Sequence, residues 1–308
     1  MSYRWRALTN DDLEDWSALT RAVSEHDDSN SAQSSGELGE EFRYGSVDPA
    51  RDTVAAFDGD VLIAAGIVFR PQQRLDGGYR AEFDGAVHPA HRGRGVGSQL
   101  LDRLVARTRE IAAERFPGAT VPVETGAAQG TDGERLLLAR GFRPLRYFHE
   151  MRAPSGGWMP ADADGIEYID YDPRYEAEVY AAHADAFSTH WGFAETPYDE
   201  WRGIRTGSSM LRPNCCTLAI DGDGVLGYVL SYESATGTLY LGQVGVRQAA
   251  RGRGIARRMM QRVLAQAHAA GYGLAELHVD SENADGAGAL YTKAGFERSR
   301  TWVAYQLD

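Results

Sequence analysis

The sequence has 308 residues, of which 43% are apolar and 25% are charged, and this composition is typical of about two globular domains and excludes disorder or a fibrous repeat. The 32 basic and 44 acidic side chains give a formal net charge of −12, which argues against nonspecific binding to nucleic acid or to an anionic membrane. No run of 18 apolar residues occurs, and Met1 to Arg6 lacks an apolar signal-peptide core, so we expect a soluble, cytoplasmic protein.

The first half of the chain alternates between patterns typical of strands and of helices. Apolar and polar residues alternate in strands, whereas an amphipathic helix places apolar residues three or four positions apart. One helix begins at Asp11, a longer one begins at Val96, and a short one ends before Gly141, a residue typical of a helix C-cap. The predicted strands cover residues 2–8, 53–57, 61–69, 81–87, 119–123 and 142–151.

The second half repeats this order of elements. A Pro- and Gly-rich stretch over residues 153–160 is predicted to link the two halves. Two predicted helices begin at Arg174 and Ile255, and a short third helix ends before Gly295. The predicted strands cover residues 166–171, 217–220, 225–232, 239–246, 274–279 and 296–307. We therefore predict two tandem α+β domains of one architecture, over residues 1–153 and 164–308.

The most informative repeat is an arginine- and glycine-rich loop between a strand and a helix. Residues 91–97 read HRGRGVG, and residues 250–256 read ARGRGIA. Amides at a helix N-terminus and the helix dipole favour phosphate oxygens, and glycines let the backbone approach them closely. The spacing differs from both the dinucleotide-binding G-x-G-x-x-G and the P-loop. A tight turn with solvated arginines is the alternative, but duplication in one context favours anion binding.

The pattern R-x-x-G-x-G or R-x-x-G-x-A in both loops resembles the acyl-CoA pyrophosphate loop of the GNAT N-acyltransferase superfamily. Asn283, Tyr291 and the pair at 295–296 are similar to the end of its domain, and residues 187–192 are similar to its tandem members such as mycothiol synthases. The resemblance covers both halves. It implies two three-layer domains, each a mixed, mostly antiparallel twisted sheet flanked by helices, and transfer of an acetyl group from acetyl-CoA to a primary amine.

The same resemblance assigns residues that contact acetyl-CoA. Strand residues beside a gap in the sheet would bond the pantetheine arm, loop amides would hold the pyrophosphate, and the Val246 amide would polarise the thioester carbonyl. In the second half these residues are Val244, Gly245, Val246, Arg251, Gly252, Arg253, Gly254, Ile255, Ala256 and Asn283; in the first half they are Val87, Arg92, Gly93, Arg94, Gly95, Val96 and Gly97.

The two halves differ in the residues that could transfer protons. Tyr291 matches the family's general-acid position, with an ordinary helix-face aromatic as the alternative. Glu233 and His278 are candidates for the base, although each is also typical of a polar residue on an exposed strand face. Leu137 and Gln129 occupy the corresponding places in the first half. We therefore expect the second half to catalyse and the first to be structural, regulatory or able to bind acyl-CoA.

Two functions follow from these patterns. The first is an N-acetyltransferase acting by direct attack of a primary amine of a small molecule or peptide, and the alternative is a non-catalytic acyl-CoA-binding regulatory or interaction protein. Loops over 25–42 and 187–213 are predicted to shape the acceptor pocket. An aminoglycoside, a polyamine-like metabolite, a protein N-terminus and a mycothiol precursor all stay open as acceptors, and the sequence predicts no oligomeric state.

No metal site is expected. The two cysteines, Cys215 and Cys216, are adjacent, so they cannot form an ordinary framework disulfide, and two thiols alone cannot build a zinc site. The histidines also lack the spacing of metalloprotease motifs.

Overall fold

The structure, a computed structural model, describes residues 3–29, 31–43, 47–162, 165–222, 224–234, 237–283 and 286–308. It contains two compact units, the first formed by Met1–Arg146 with Trp302–Asp308 and the second by Tyr147–Thr301. Each unit therefore takes its last strand from the opposite half of the sequence. The repeat and the compact units divide the chain at different places, and residue 164, where the second predicted domain begins, lies outside the described residues.

Strands and helices follow one another in nearly the same order in both halves, with an additional short helix (Pro49–Asp52) and an additional two-residue strand (Gln72–Gln73) in the first half. The strands are β1 (Arg4–Arg6), β2 (Thr53–Asp58), β3 (Val61–Val68), β4 (Gln72–Gln73), β5 (Tyr79–Val87), β6 (Val123–Ala128), β7 (Arg143–Pro154), β8 (Glu167–Asp170), β9 (Thr217–Asp221), β10 (Gly224–Glu233), β11 (Leu239–Val246), β12 (Leu274–Asp280) and β13 (Glu297–Leu307). The helices are α1 (Leu13–His26), α2 (Ser35–Arg43), α3 (Pro49–Asp52), α4 (Val96–Arg115), α5 (Asp132–Ala139), α6 (Glu176–Phe187), α7 (Tyr198–Ile204), α8 (Ile255–Ala269) and α9 (Ala287–Lys293). Single 3-10 turns span Asn10–Asp12, Pro89–His91, Pro173–Tyr175, Pro213–Cys215 and Gln248–Ala250. Within the described residues, no helix is long and apolar enough to cross a membrane.

The first unit is built on a sheet with the strand order β1-β2-β3-β5-β6-β13. Neighbouring strands are antiparallel except β5 and β6, which are parallel. The apolar side of α4, including Leu100 and Leu104, packs on one face of this sheet. Trp16 and Leu19 of α1, with Leu38 of α2, pack on the other face. Two apolar layers thus enclose the sheet.

The second unit has the matching strand order β8-β9-β10-β11-β12-β7, again antiparallel except for the pair β11 and β12. Residues such as Ile255, Met259 and Val263 form the apolar stripe of α8 that covers one face. Burying each such side chain contributes about 1.5–3 kcal/mol. Val179 of α6 and Trp201 of α7 cover the opposite face. The predicted fold class, two α+β domains with mixed, mostly antiparallel sheets between helical layers, is confirmed.

Two local predictions are wrong. The strand predicted over 119–123 lies at Val123–Ala128 instead, because Pro122 has no N–H to donate to a ladder. A helix, α2, occupies part of the segment predicted as a loop over 25–42. Its start is a capping box, since the Ser34 amide donates to the Glu37 carboxylate at 2.7 Å and the Glu37 amide to the Ser34 hydroxyl at 3.2 Å.

Candidate active site

An opening between two parallel strands lies in the second unit. β11 and β12 pair only at Leu239 with Ala275 and at Tyr240 with Glu276, although β11 continues to residue 246 and β12 to residue 280. The Arg247 amide donates to the Leu226 carbonyl of β10 at 2.8 Å. Because amides alternate along a strand, those of residues 244 and 246 face away from β10, toward this opening. We call it the β11–β12 opening, and its free backbone groups suit an extended ligand.

A β-bulge lies beside this opening. Leu230 of β10 is opposite Gln243, but the next residue, Ser231, is opposite Leu241, so Gly242 is the extra residue. A Cβ at Gly242 would lie 2.7 Å from a Tyr232 ring atom, which only glycine avoids. In the first unit the ladder between β3 and β5 runs through the described residues without a shift, although β5 and β6 also pair at only two positions. The sequence signal for this bulge is a glycine inside an alternating strand, a signal that Gly245 of the same strand shares.

Both glycine loops adopt one backbone conformation. In the second unit Gly252 and Gly254 have φ of +80° and +77°, and in the first unit Gly93 and Gly95 have +72° and +81°. A Cβ at any of these four glycines would meet nothing within 4 Å, so the loops need glycine for its backbone freedom and are open on that side. Gly254 and Gly95 are the N-caps of α8 and α4, and neither helix has a side-chain cap. The first-turn amides can therefore bind an anion.

The first arginine of each loop fastens the loop to its own unit. Arg251 donates from Nε to the Val246 carbonyl at 3.5 Å and from Nη2 to the Ala186 carbonyl at the end of α6 at 3.0 Å. Arg92 donates both terminal nitrogens to the Asp27 carboxylate after α1, at 2.7 and 2.8 Å. That ion pair lowers the pKa of Asp27. The second arginine of each loop, Arg94 or Arg253, is exposed.

The remaining predicted cofactor-binding residues lie close to these features. Ile255 and Val96 are buried beneath their loops as the first residues of α8 and α4, with Ala256 and Gly97 next to them. Val87 ends β5, and its carbonyl accepts from Arg92 Nε at 3.3 Å. Gly245 lies against the Tyr228 ring, and a Cβ at Gly245 would lie 2.5 Å from the nearest atom of that ring.

Tyr291 lies on α9 with only 8% of its surface exposed. Burial, and to a smaller degree the neighbouring Tyr240, raises the pKa of Tyr291 to about 12. The phenol therefore keeps its proton at neutral pH. Asn283 precedes the same helix, and its Nδ2 lies 3.4 Å from His190 Nε2.

The two candidate bases lie at different levels along the sheet. Glu233 is opposite Leu239, at the end where β11 and β12 still pair, and it accepts from Arg212 at 2.7 Å and from the Tyr272 hydroxyl at 2.9 Å. Its pKa is lowered, mainly by Arg212. His278 lies on β12 beyond the last paired residue, with its ring centre 5.5 Å from that of Tyr240. The structure thus brings His278, and not Glu233, to the β11–β12 opening.

Two buried carboxylates that the sequence did not single out flank His278. Its Nε2 lies 3.8 Å from Glu276 Oε1 and 3.9 Å from Glu150 Oε2. Burial lowers the pKa of His278 more than the charges of Glu276 and Glu150 raise it, so the imidazole is neutral near pH 7. Ligand atoms of the three groups lie within 4.8 Å of one another, close enough for all three to bind one metal ion. Arg152, however, bonds Glu276 at 2.8 Å and Glu150 at 2.9 Å and supplies a counter-charge from the protein.

Comparison with known proteins gives the family. The sequence profile of the Acetyltransferase (GNAT) family matches residues 5–130 and 176–296. A protein named Mycothiol acetyltransferase from Tsukamurella paurometabola is 31% identical over 291 residues, covering 88% of this chain and 89% of that protein. One of the same name from Rothia mucilaginosa is 27% identical and covers 94% and 88%.

Solved structures agree over the whole chain. A GCN5-related N-acetyltransferase from Sphaerobacter thermophilus superposes with a TM-score of 0.76 at 25% identity, covering 99% of this chain and 95% of that one. A tandem GNAT protein from the clavulanic acid biosynthesis pathway gives a TM-score of 0.73 at 17% identity, covers 99% and 98%, and supports the fold. With the family profile matched twice, this chain is a tandem member of the GNAT acetyltransferase family and an acyltransferase.

Proposed function

We propose that the second unit transfers an acetyl group from acetyl-CoA to a primary amine of a small molecule. The observation that carries this proposal is the β11–β12 opening next to an uncapped glycine loop, with His278 on β12 beyond its last paired residue and Tyr291 on α9, the helix that follows β12. The loop amides suit the pyrophosphate, and the free amides of residues 244 and 246 suit the pantetheine arm and the thioester carbonyl.

The reaction needs two proton transfers, and the two side chains fit them. The amine nitrogen attacks the thioester carbon, the carbon–sulfur bond breaks, and the sulfur leaves with the bonding electron pair. Neutral His278 accepts the proton of the amine, directly or through a water, and Glu150 and Glu276 stabilise the resulting imidazolium. Tyr291 donates its proton to the departing sulfur, and solvent returns one to the phenol. The products are an acetamide and free CoA.

The first unit has a different role in this proposal. It retains the open glycine loop, but its β3–β5 ladder lacks the bulge, and buried Leu137 stands where the second unit has Tyr291. We infer that the first unit does not catalyse. Because relatives carry the name Mycothiol acetyltransferase, an amine precursor of mycothiol is the first acceptor to test.

Steady-state release of CoA in the presence of amine acceptors tests the proposal. Substituting Tyr291→Phe removes the proton donor, so we expect kcat to fall roughly 10²-fold or more while the affinity for acetyl-CoA changes little. Leu137→Phe, at the corresponding helix position of the first unit, is the matched control and should leave kcat unchanged. Equal kcat in Tyr291→Phe and the wild type would remove Tyr291 as the acid.

A further inference from the structure

A polar surface lies on the sheet face opposite α8. Leu239 and Leu241 point into the core beneath α8, so Tyr240 and, after the bulge, Gln243 point to the other face. Tyr232 of β10 lies beside Tyr240, because these two residues are register partners. The His278 ring also contacts Tyr240, so this surface is continuous with the proposed proton acceptor.

Arg205 reaches this surface from the end of α7. Its amide donates to the Trp201 carbonyl at 2.9 Å, and the buried Trp201 ring packs 5.8 Å from His183. His183 Nδ1 in turn lies 2.8 Å from the Tyr228 hydroxyl of β10. Burial raises the pKa of Tyr232 and of Tyr240, and the positive charge of Arg205 opposes both increases.

Several buried polar atoms here have no partner among the described residues. They are Nε of Arg205, the hydroxyl of Tyr232 and Oε1 of Gln243. Leaving a buried donor or acceptor without a hydrogen bond costs about 1–3 kcal/mol, and more for a charged group. None of the ion pairs formed by the described residues includes Arg205, whereas the nearby Glu150 and Glu276 are both paired with Arg152. The surface therefore offers a cation and two neutral groups to a ligand.

Charges of both signs act on Tyr240. The charge of Arg205 opposes the rise of its pKa, whereas the charges of Glu276 and Glu150, next to His278, add to that rise. An acceptor must place its amine at His278 if the proposed function holds. The other end of such a molecule then meets Arg205. A guanidinium binds a carboxylate with two parallel hydrogen bonds, which suits a single arginine flanked by neutral groups.

We propose that Arg205 binds a carboxylate of the acceptor, so that the preferred substrates are amino acids rather than simple amines. This inference rests on the proposed function, because it takes the position of the amine from His278. Arg205 is then a specificity-determining residue, and Tyr232 and Gln243 complete the carboxylate site.

A series of ω-amino acids of increasing chain length, each paired with its neutral amide, tests the proposal. We expect the wild type to prefer the acid at one length, with kcat/KM about 10- to 100-fold above that of the matched amide. Arg205→Gln should remove this preference by slowing the acid alone, and Arg205→Lys should recover part of it. Arg202→Gln is the control, since that arginine lies one turn away with 60% of its side chain exposed and pairs with Glu176.

Two outcomes separate this proposal from the proposed function. Acetylation of amides as fast as acids, unaltered by Arg205→Gln, would contradict the carboxylate site and leave the acetyltransferase intact. If the wild type acetylates none of the amines, calorimetric titration of the same acids into the CoA-bound protein tests the carboxylate site without catalysis. Equal affinity of the wild type and Arg205→Gln for these acids would then contradict the carboxylate site. Thermal melting of each variant shows whether it is folded.

Discussion

The side chains around Tyr240 differ in how well the sequence predicts that they belong to the candidate site. Tyr291 stands at a fixed distance before Gly295 and Phe296, so a local motif is enough to single it out. His278 is only one of several polar residues on predicted strands. Glu150 has no signal of its own, because it meets His278 through the pairing of β7 with β12, which joins the two sequence halves. The periodicity of a strand predicts which face of the sheet a residue occupies. It does not predict which residue, distant in the sequence, will lie beside it.

The pH dependence of kcat/KM tests His278. A base must be neutral to act, so kcat/KM should fall as the pH drops through the pKa of His278, which lies below its ordinary value of 6.5. His278→Gln should abolish this limb and lower kcat/KM about 10²-fold. Glu150→Gln removes a charge that raises this pKa, so the limb should move to lower pH.

The same acceptor is used for every variant, so the ionisation of its amine is common to all profiles. A limb that survives in His278→Gln and disappears in Glu233→Gln would assign the base to Glu233 instead.

At the scale of elements, the two glycine loops show what a motif does and does not specify. Their left-handed glycines and their place before a helix follow from the sequence, because few other residues adopt that conformation. The roles of the arginines do not follow, since Arg92 and Arg251 bind groups that only the fold brings near. The bulge at Gly242 also depends on how two strands pair, and a single strand's pattern only indicates where a shift is possible.

Calorimetric titration with acetyl-CoA tests the loops as binding elements. We expect one tight site that Gly254→Glu abolishes and the matched Gly95→Glu leaves unchanged. Gly254→Glu should abolish binding because the added carboxylate repels the pyrophosphate. Gly95→Glu should have no effect, because among the described residues only the second unit combines its loop with a bulged strand, and in the first unit Asp27 neutralises Arg92. Two equivalents of comparable affinity, each removed by its own variant, would show that the first unit also binds acyl-CoA.

At the scale of the whole molecule, the tandem architecture was predictable and the origin of the final strands was not. Repeats in the sequence identify two units because each repeats the same order of strands and helices. An edge of a sheet accepts any strand with suitable alternation, so the pattern of β7 and of β13 fits either unit. The structure places residues 302–308 in the first unit and residues 147–154 in the second.

Hydrogen exchange tests this assignment with two nearby substitutions. Tyr305 is fully buried and packs in the core of the first unit, whereas Phe296, nine positions earlier, packs in the core of the second. Each change to alanine should cost about 3–5 kcal/mol. We expect Tyr305→Ala to reduce protection in α4 and β6, and Phe296→Ala to reduce it in α8 and β10. The reverse pattern would contradict the division into units.

The exchanged strands also affect how the chain is made. During synthesis the first unit emerges from the ribosome almost complete, yet β6 keeps an unpaired edge until residues 302–307 have been translated. An exposed strand edge can pair with another chain, so the nascent protein carries an aggregation hazard throughout synthesis of its second half. A gene split at the linker would leave both products with this defect. Neither half of the sequence can therefore complete its sheet without the other.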